Sequence, residues 1–249
     1  MKIVAIGGGE IGRPGTKIET KLIDKEIIRL TGKAHPKSLF IPTASGDSHG
    51  YWETFQKYYG QKLGCKTDVL FLIKSGLSAR KIKEKILDSD IVYVGGGNTL
   101  KMLKIWRKLG VDKILEEAGG KGIILSGLSA GAICWFEFGN SDSLILGSKK
   151  SKDLIKVRGI GFLSSMACPH YDVEKARRPS LFRMIKKYGG LSIALENCSA
   201  LEVVDDHYRI IVSSKNAHAY KVYRHSGKVI EQELPKDKKF RPIEELFEI

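Results

Sequence analysis

From residue 2 to residue 127 the chain alternates between short, nearly unbroken apolar runs and longer segments with apolar residues at helical spacing. "KIVAIG" (2–7), "SLFIPT" (38–43), "TDVLFL" (67–72), "DIVYV" (90–94) and "KGIILSG" (121–127) read as strands. Between them, residues 20–32, 50–64, 79–89 and 98–110 carry the 3.6-residue pattern of amphipathic helices. Strands this apolar are buried on both faces. A doubly wound, mostly parallel α/β sheet with helices on both faces is therefore expected. After about residue 190 the pattern changes to short strand-like runs separated by turn residues: "LSIALE", "SALEVVDD", "YRIIVSS", "AYKVYRH" and "KVIEQEL". These predict extra antiparallel strands, added to the sheet or folded as a small flap. No low-complexity linker interrupts the 249 residues, so one domain over 1–249 is expected.

Composition narrows the function classes. No apolar stretch reaches the ~18 residues of a membrane span. "MKIVAIGGGE" is too short for a secretory apolar region and runs into a structural strand, so cytoplasm is the expected compartment. The four cysteines, Cys65, Cys134, Cys168 and Cys198, form no C-x-x-C pair and predict buried thiols. The formal charge of +14 raises the question of a nucleic acid partner. The basic residues are scattered at helix-surface spacing, as in "KIKEKI", with no arginine-rich block. A solvated surface is the better reading, and no nucleic acid is expected.

Three glycine clusters punctuate strand ends. Gly7-Gly8-Gly9-Glu10-Ile11-Gly12 satisfies the dinucleotide pattern G-x-G-x-x-G. However, "RPGTKIET" follows where a helix should open at once, so a tight turn facing the site crevice is favoured. Gly95-Gly96-Gly97-Asn98-Thr99 lies between a strand and a helix. Asn98 or Thr99 could cap that helix, and the glycines would let backbone N–H groups approach an anion. Gly127-Leu128-Ser129-Ala130-Gly131 is a G-x-S-x-G element between a buried strand and a helix, the context of a nucleophile elbow. Such a turn exposes the Ser129 hydroxyl and aims the Ala130 N–H at an oxyanion.

A serine nucleophile needs a base. Of six histidines, His170 in "FLSSMACPHYD" follows a strand-like run and precedes a helix, which could return it to the same sheet edge. His49 is second; His35, His207, His218 and His225 lie in polar loops or late strands. An acid must orient the base. Asp142, Glu137 in the elbow helix and Asp172 compete for that role.

"VGGGNTL", "GLSAGA" and "CPHYD", in this order, resemble peptidase E, the aspartyl dipeptidase family of serine peptidases, with cyanophycinases among its wider relatives. The resemblance also takes in "GGGEI" and "FIPTAS" and covers most of the chain. It implies a flavodoxin-like fold related to class I glutamine amidotransferases, with Ser129 in place of their elbow cysteine. It further implies a triad of Ser129, His170 and Asp142, with the Gly97 and Ala130 amides as oxyanion donors. Arg178, with Arg177 beside it, matches the family's binder of an aspartyl side chain. The expected reaction is acyl-enzyme hydrolysis of short peptides, including dipeptides with an acidic first residue, without metal or organic cofactor. A homodimer is allowed for. The rival readings are a non-catalytic ligand-binding α/β protein and a related amidase or cyanophycinase-like hydrolase.

Overall fold

The structure, a computed structural model, describes residues 1–147 and 153–249. Five strands form the parallel part of the larger sheet: β1 (Lys2–Ile6), β2 (Lys37–Ile41), β3 (Lys66–Val69), β4 (Ile91–Val94) and β5 (Ile124–Leu128). They lie in the order β3-β2-β4-β5-β1. The helices between them are α1 (Lys21–Arg29), α2 (His49–Phe55), α3 (Ala79–Leu87), α4 (Thr99–Leu109) and α5 (Val111–Gly120).

Side chains that alternate along a strand point to opposite faces of the sheet. On β1, Ile3 and Ala5 pack with Ile82 and Ile86 of α3 and with Met102 and Trp106 of α4. Val4 and Ile6 pack on the other face with Ile23 and Ile27 of α1 and with Phe55 and Tyr59. Both faces are thus covered, as the unbroken apolar runs require. The helix expected over 50–64 begins as α2 and widens into a π-helical stretch, Gln56–Lys62. An aromatic stack of Phe40, Phe55 and Tyr59 clamps it to the sheet, with ring centroids 4.6 and 4.3 Å apart.

After β5 the chain makes one helical turn, α6 (Ala130–Ile133), and then enters β6 (Phe136–Ser141), α7 (Ser143–Gly147), β7 (Ile155–Arg158), β8 (Leu163–Cys168) and α8 (Arg177–Tyr188). The remainder is β9 (Leu191–Leu195), β10 (Ser199–Val204), β11 (His207–Val212), β12 (Ala219–His225), β13 (Lys228–Glu233), β14 (Arg241–Pro242) and α9 (Ile243–Phe247). Strands β10, β11 and β14 extend the first sheet antiparallel from β1. The others build a second sheet in the order β13-β12-β9-β8-β6-β7.

The α/β class stands, and two local expectations change. "LSIALE" forms β9, which pairs antiparallel with β12 as expected but is parallel to β8 on its other side. The cause is visible in its burial: all five residues of β9 are buried, as in an interior strand reached through a helical crossover, here α8. The elbow helix is also much shorter than expected. Phe136 and Phe138 suit a strand better than a helix, so Glu137 lies exposed on β6 and not on the elbow helix. No helix among the described residues is long and apolar enough to cross a membrane.

One buried acid sits under the first sheet. Asp24 of α1 accepts hydrogen bonds from Thr20 Oγ1 and from the Tyr59 hydroxyl, each at 2.7 Å. Loss of hydration pushes its pKa up to about 6 despite those bonds. The folded state therefore holds this proton more tightly than the unfolded chain. The stability it confers is full at pH values below the ordinary carboxyl range and is lost as pH rises through about 6. We expect Asp24→Asn to remove this component. In urea unfolding, the wild type should lose about 2 kcal/mol relative to the variant between about pH 4.5 and 7.5. A constant difference across that range would refute the assignment.

Candidate active site

Ser129 occupies the turn from β5 into α6 with φ 57° and ψ −106°, a conformation that non-glycine residues rarely adopt. The two flanking glycines make that turn sterically allowed. A Cβ on Gly127 would stand 2.5 Å from the Gly131 carbonyl oxygen, and one on Gly131 would stand 2.1 Å from the Val94 oxygen. The Ser129 N–H donates to the Ile6 carbonyl at 3.0 Å, and its own carbonyl accepts from Ala132 and Ile133. Its backbone is thereby fixed while its side chain faces an open cleft.

The second glycine cluster runs beside the serine. The Gly96 Cα faces Ser129 so closely that a Cβ there would lie 3.5 Å from the Ser129 Cβ. Gly97 has φ 137°, and a Cβ on it would meet the Ala44 oxygen at 2.3 Å. Asn98 caps α4, its side chain accepting from the Lys101 N–H at 2.9 Å, as expected of one of the two cap candidates. Among the described residues, neither the Gly97 N–H nor the Ala130 N–H has a hydrogen-bond acceptor. The Gly96 N–H reaches the Tyr51 hydroxyl at 3.4 Å. Burial pushes that phenol up to about 12, so it stays protonated.

The first cluster explains why His170 arrives here. The Gly7 carbonyl accepts from the His170 N–H at 3.1 Å, and the Gly8 carbonyl accepts from Cys198 N–H at 2.9 Å. Gly8 lies so close to the imidazole that a Cβ on it would stand 2.4 Å from Nδ1, and α1 begins only at Lys21, so the glycine run opens no helix and cradles the histidine loop. His170 itself has φ 54°. Its Nδ1 meets Asn197 Oδ1 at 2.8 Å. Asn197 belongs to the turn between β9 and β10, and sequence reasoning passed it over. Its only signal was a polar pair, Glu196-Asn197, breaking two apolar strands.

The three expected acids lie elsewhere in the hydrogen-bond network. Asp142 lines the cleft with Ser129 and His170, but its carboxylate faces Arg177 at 3.6 Å and makes no hydrogen bond to the imidazole. Asp172 accepts the Asn197 N–H at 2.9 Å. Glu137 is exposed on β6 and does not line the cleft. The second-choice histidine, His49, packs on Phe71 with centroids 4.6 Å apart.

Neither expected arginine faces the cleft. Arg177 is 1% exposed and binds Glu174 Oε2 at 2.6 Å and the Asn140 carbonyl at 2.6 Å, besides Asp142. A guanidinium buried this way is a structural tie between α8 and the end of β6. Arg178 is 60% exposed, pairs with Glu231 and lies over the Tyr171 and Phe182 rings. The arginine that does line the cleft is Arg13, paired with Glu10, whose carboxyl that guanidinium holds below its ordinary range.

The cleft has a volume of about 970 Å³, and Glu19, Glu53 and Lys57 also line it. Among the described residues no three His, Cys, Asp or Glu side chains converge as metal ligands would. Cys134 and Cys168 are buried, and loss of hydration pushes both thiols upward.

Comparison with known proteins fits this geometry into a class. Residues 3–211 match the sequence profile of a family of serine-type peptidases. The family is Peptidase family S51, and the chain belongs to it. It is 36% identical over 236 residues to the uncharacterized peptidase YgaJ of Bacillus subtilis, covering 94% of this chain and 97% of the relative. It is also 29% identical over 137 residues to the uncharacterized peptidase Lmo0363 of Listeria monocytogenes, covering 53% of this chain and 64% of that one. A crystal structure of a peptidase from an acI-B1 Actinobacterium superposes with TM-score 0.73 over 97% of this chain and 96% of its own. At 18% identity it bears on the fold.

The cradle predicts a sharp sensitivity at Gly8. In Gly8→Ala the added methyl would stand 2.0 Å from Asn197 Oδ1 and 2.4 Å from His170 Nδ1. Hydrolytic activity should fall by at least ~10-fold through displaced catalytic geometry, while the folded state survives. Peptide hydrolysis and thermal unfolding, measured together, check this, and an active Gly8→Ala enzyme would refute it.

Proposed function

We propose that this serine peptidase cleaves short peptides in the cleft that Ser129 and His170 line, with Ser129 as nucleophile and His170 as general base. The observation that carries the reading is the strained Ser129 backbone, held at the mouth of a cleft that His170 shares. Strain of this kind costs on the order of 1–3 kcal/mol and persists where the surroundings impose it. The Ser129 hydroxyl attacks the scissile carbonyl and passes its proton to His170 Nε2. The free Gly97 and Ala130 amides receive the oxyanion. His170 then protonates the leaving amine, and water releases the acyl group from Ser129.

Asp142 serves this reading as a charged wall of the cleft that Arg177 holds in place. An acidic first residue of a substrate would meet Arg13 and Lys57, which line the cleft, and not Arg178, which is engaged by Glu231. We also propose that residues 1–249 work as one domain. One apolar cluster joins Ile3 and Leu125 of the first sheet to Leu163 and Ile193 of the second.

A dipeptide panel tests the function: Asp-X and Glu-X against neutral and basic first residues, with wild type, Ser129→Ala and Arg178→Ala side by side. Ser129→Ala should lose at least ~10³-fold in kcat/KM. Arg178→Ala should leave the ranking of first residues unchanged. Hydrolysis that survives Ser129→Ala would sink the nucleophile assignment, and a collapse of the acidic preference in Arg178→Ala would restore that residue to the binding site.

A further inference from the structure

The group at His170 Nδ1 is an amide where a serine peptidase ordinarily presents a carboxylate. We infer that Asn197 is the positioning residue of the base, so that the relay is Ser129, His170 and Asn197. This rests on reading His170 as the base. An amide oxygen only accepts hydrogen bonds. The 2.8 Å contact from Asn197 Oδ1 therefore selects the tautomer with its proton on Nδ1. That leaves the Nε2 lone pair for the Ser129 hydroxyl.

The amide is held as firmly as the histidine. The Asn197 backbone N–H donates to Asp172 Oδ1 at 2.9 Å, and the next residue, Cys198, donates its backbone N–H to the Gly8 carbonyl, so the turn that carries the side-chain amide is fixed on both sides. Gly8 packs against both the amide and the ring.

The acids around the imidazole are each committed elsewhere. Asp142 faces Arg177, and Asp172 takes the Asn197 N–H. Glu10 takes Arg13, and Glu19 takes the Glu10 N–H at 3.0 Å. Glu196 accepts from the His218 N–H at 2.8 Å and the Tyr220 hydroxyl at 3.3 Å. Among these acids none is hydrogen-bonded to Nδ1, whose partner is Asn197 Oδ1. The imidazolium that forms during attack is met there by a dipole and not by a full charge. A neutral partner fixes the orientation and tautomer of the ring without adding a charge beside it.

The test compares wild type, Asn197→Asp, Asn197→Ala and Asp142→Asn. It uses the pH dependence of kcat/KM on a peptide the wild type cleaves, and the ¹⁵N ring resonances of His170 in labelled protein. Asn197→Asp should move the acid limb of the profile upward by about one pH unit or more. Asn197→Ala should lower kcat/KM by about 10²-fold and abolish the Nδ1–H signal. Asp142→Asn should leave the acid limb where it is. If Asp142→Asn moves the limb and the Asn197 variants do not, the inference is overturned. If no peptide is cleaved at all, the peptidase reading fails by itself, and the resonances still decide this one. An Nδ1–H signal in wild type that disappears in Asn197→Ala upholds it, and its absence from folded wild type overturns it.

Discussion

Three consecutive residues at the end of β1 hold the site together. The Ile6 carbonyl takes the Ser129 N–H, the Gly7 carbonyl takes the His170 N–H, and the Gly8 carbonyl takes the Cys198 N–H. One short stretch of backbone therefore fixes the turn carrying Ser129, the loop carrying His170 and the turn carrying Asn197. Side chains there would be obstructive. A Cβ on Gly7 would stand 2.4 Å from the Glu196 carbonyl oxygen, and one on Gly8 would collide with the imidazole. The glycines are required by close approach of backbone to backbone, and neither depends on a positive φ. A pattern that reads as a phosphate cradle is here a cradle for protein.

The cost of this arrangement falls in part on Ser129 and His170, both at φ near +55° without being glycine, as Cys198 is at φ 64°. Neither residue gains from that backbone conformation by itself. The compensation is the full use of nearby backbone polar groups. Ser129 donates to β1 and accepts twice from α6, and His170 donates to β1. Around the elbow, Trp135, Phe136, Ala132 and Cys134 are fully buried, so the turn cannot relax without disturbing the main apolar cluster. The two amides left over among the described residues, on Gly97 and Ala130, are the ones proposed to receive an oxyanion.

Much of this was legible in the sequence. Continuous apolar runs marked β1, β2, β4 and β5, because a strand covered on both faces has no polar side. The elbow, the Asn98 cap and the loop position of His170 were legible because each needs particular residues at fixed short spacing. What escaped were contacts made over long separations. Asp142 and Arg177 are 35 residues apart and close on each other, and nothing in "GNSDSL" or "KARRPS" announces that. Arg178 and Glu231 are 53 residues apart, and their pairing leaves no mark in either segment. Asn197 carries no motif of its own, and its role follows from β9 and β10 belonging to different sheets.

That last point ties the chemistry to the architecture. Ser129 leaves β5 of the first sheet, while His170 follows β8 of the second. Asn197 sits where the chain passes from β9 in the second sheet to β10 in the first. Ser129 and His170, on separate sheets, would drift against each other if the sheets met only through side chains. Here the crossing turn is fastened to Gly8 by its backbone and to His170 by its side chain, so the first sheet reaches over to hold the second sheet's histidine. An acid at position 197 would add charge at that junction beside Asp172, which already takes the turn's own N–H. The amide performs the orienting task there without a second negative charge a few ångströms from the first, and like charges at such range disfavour each other.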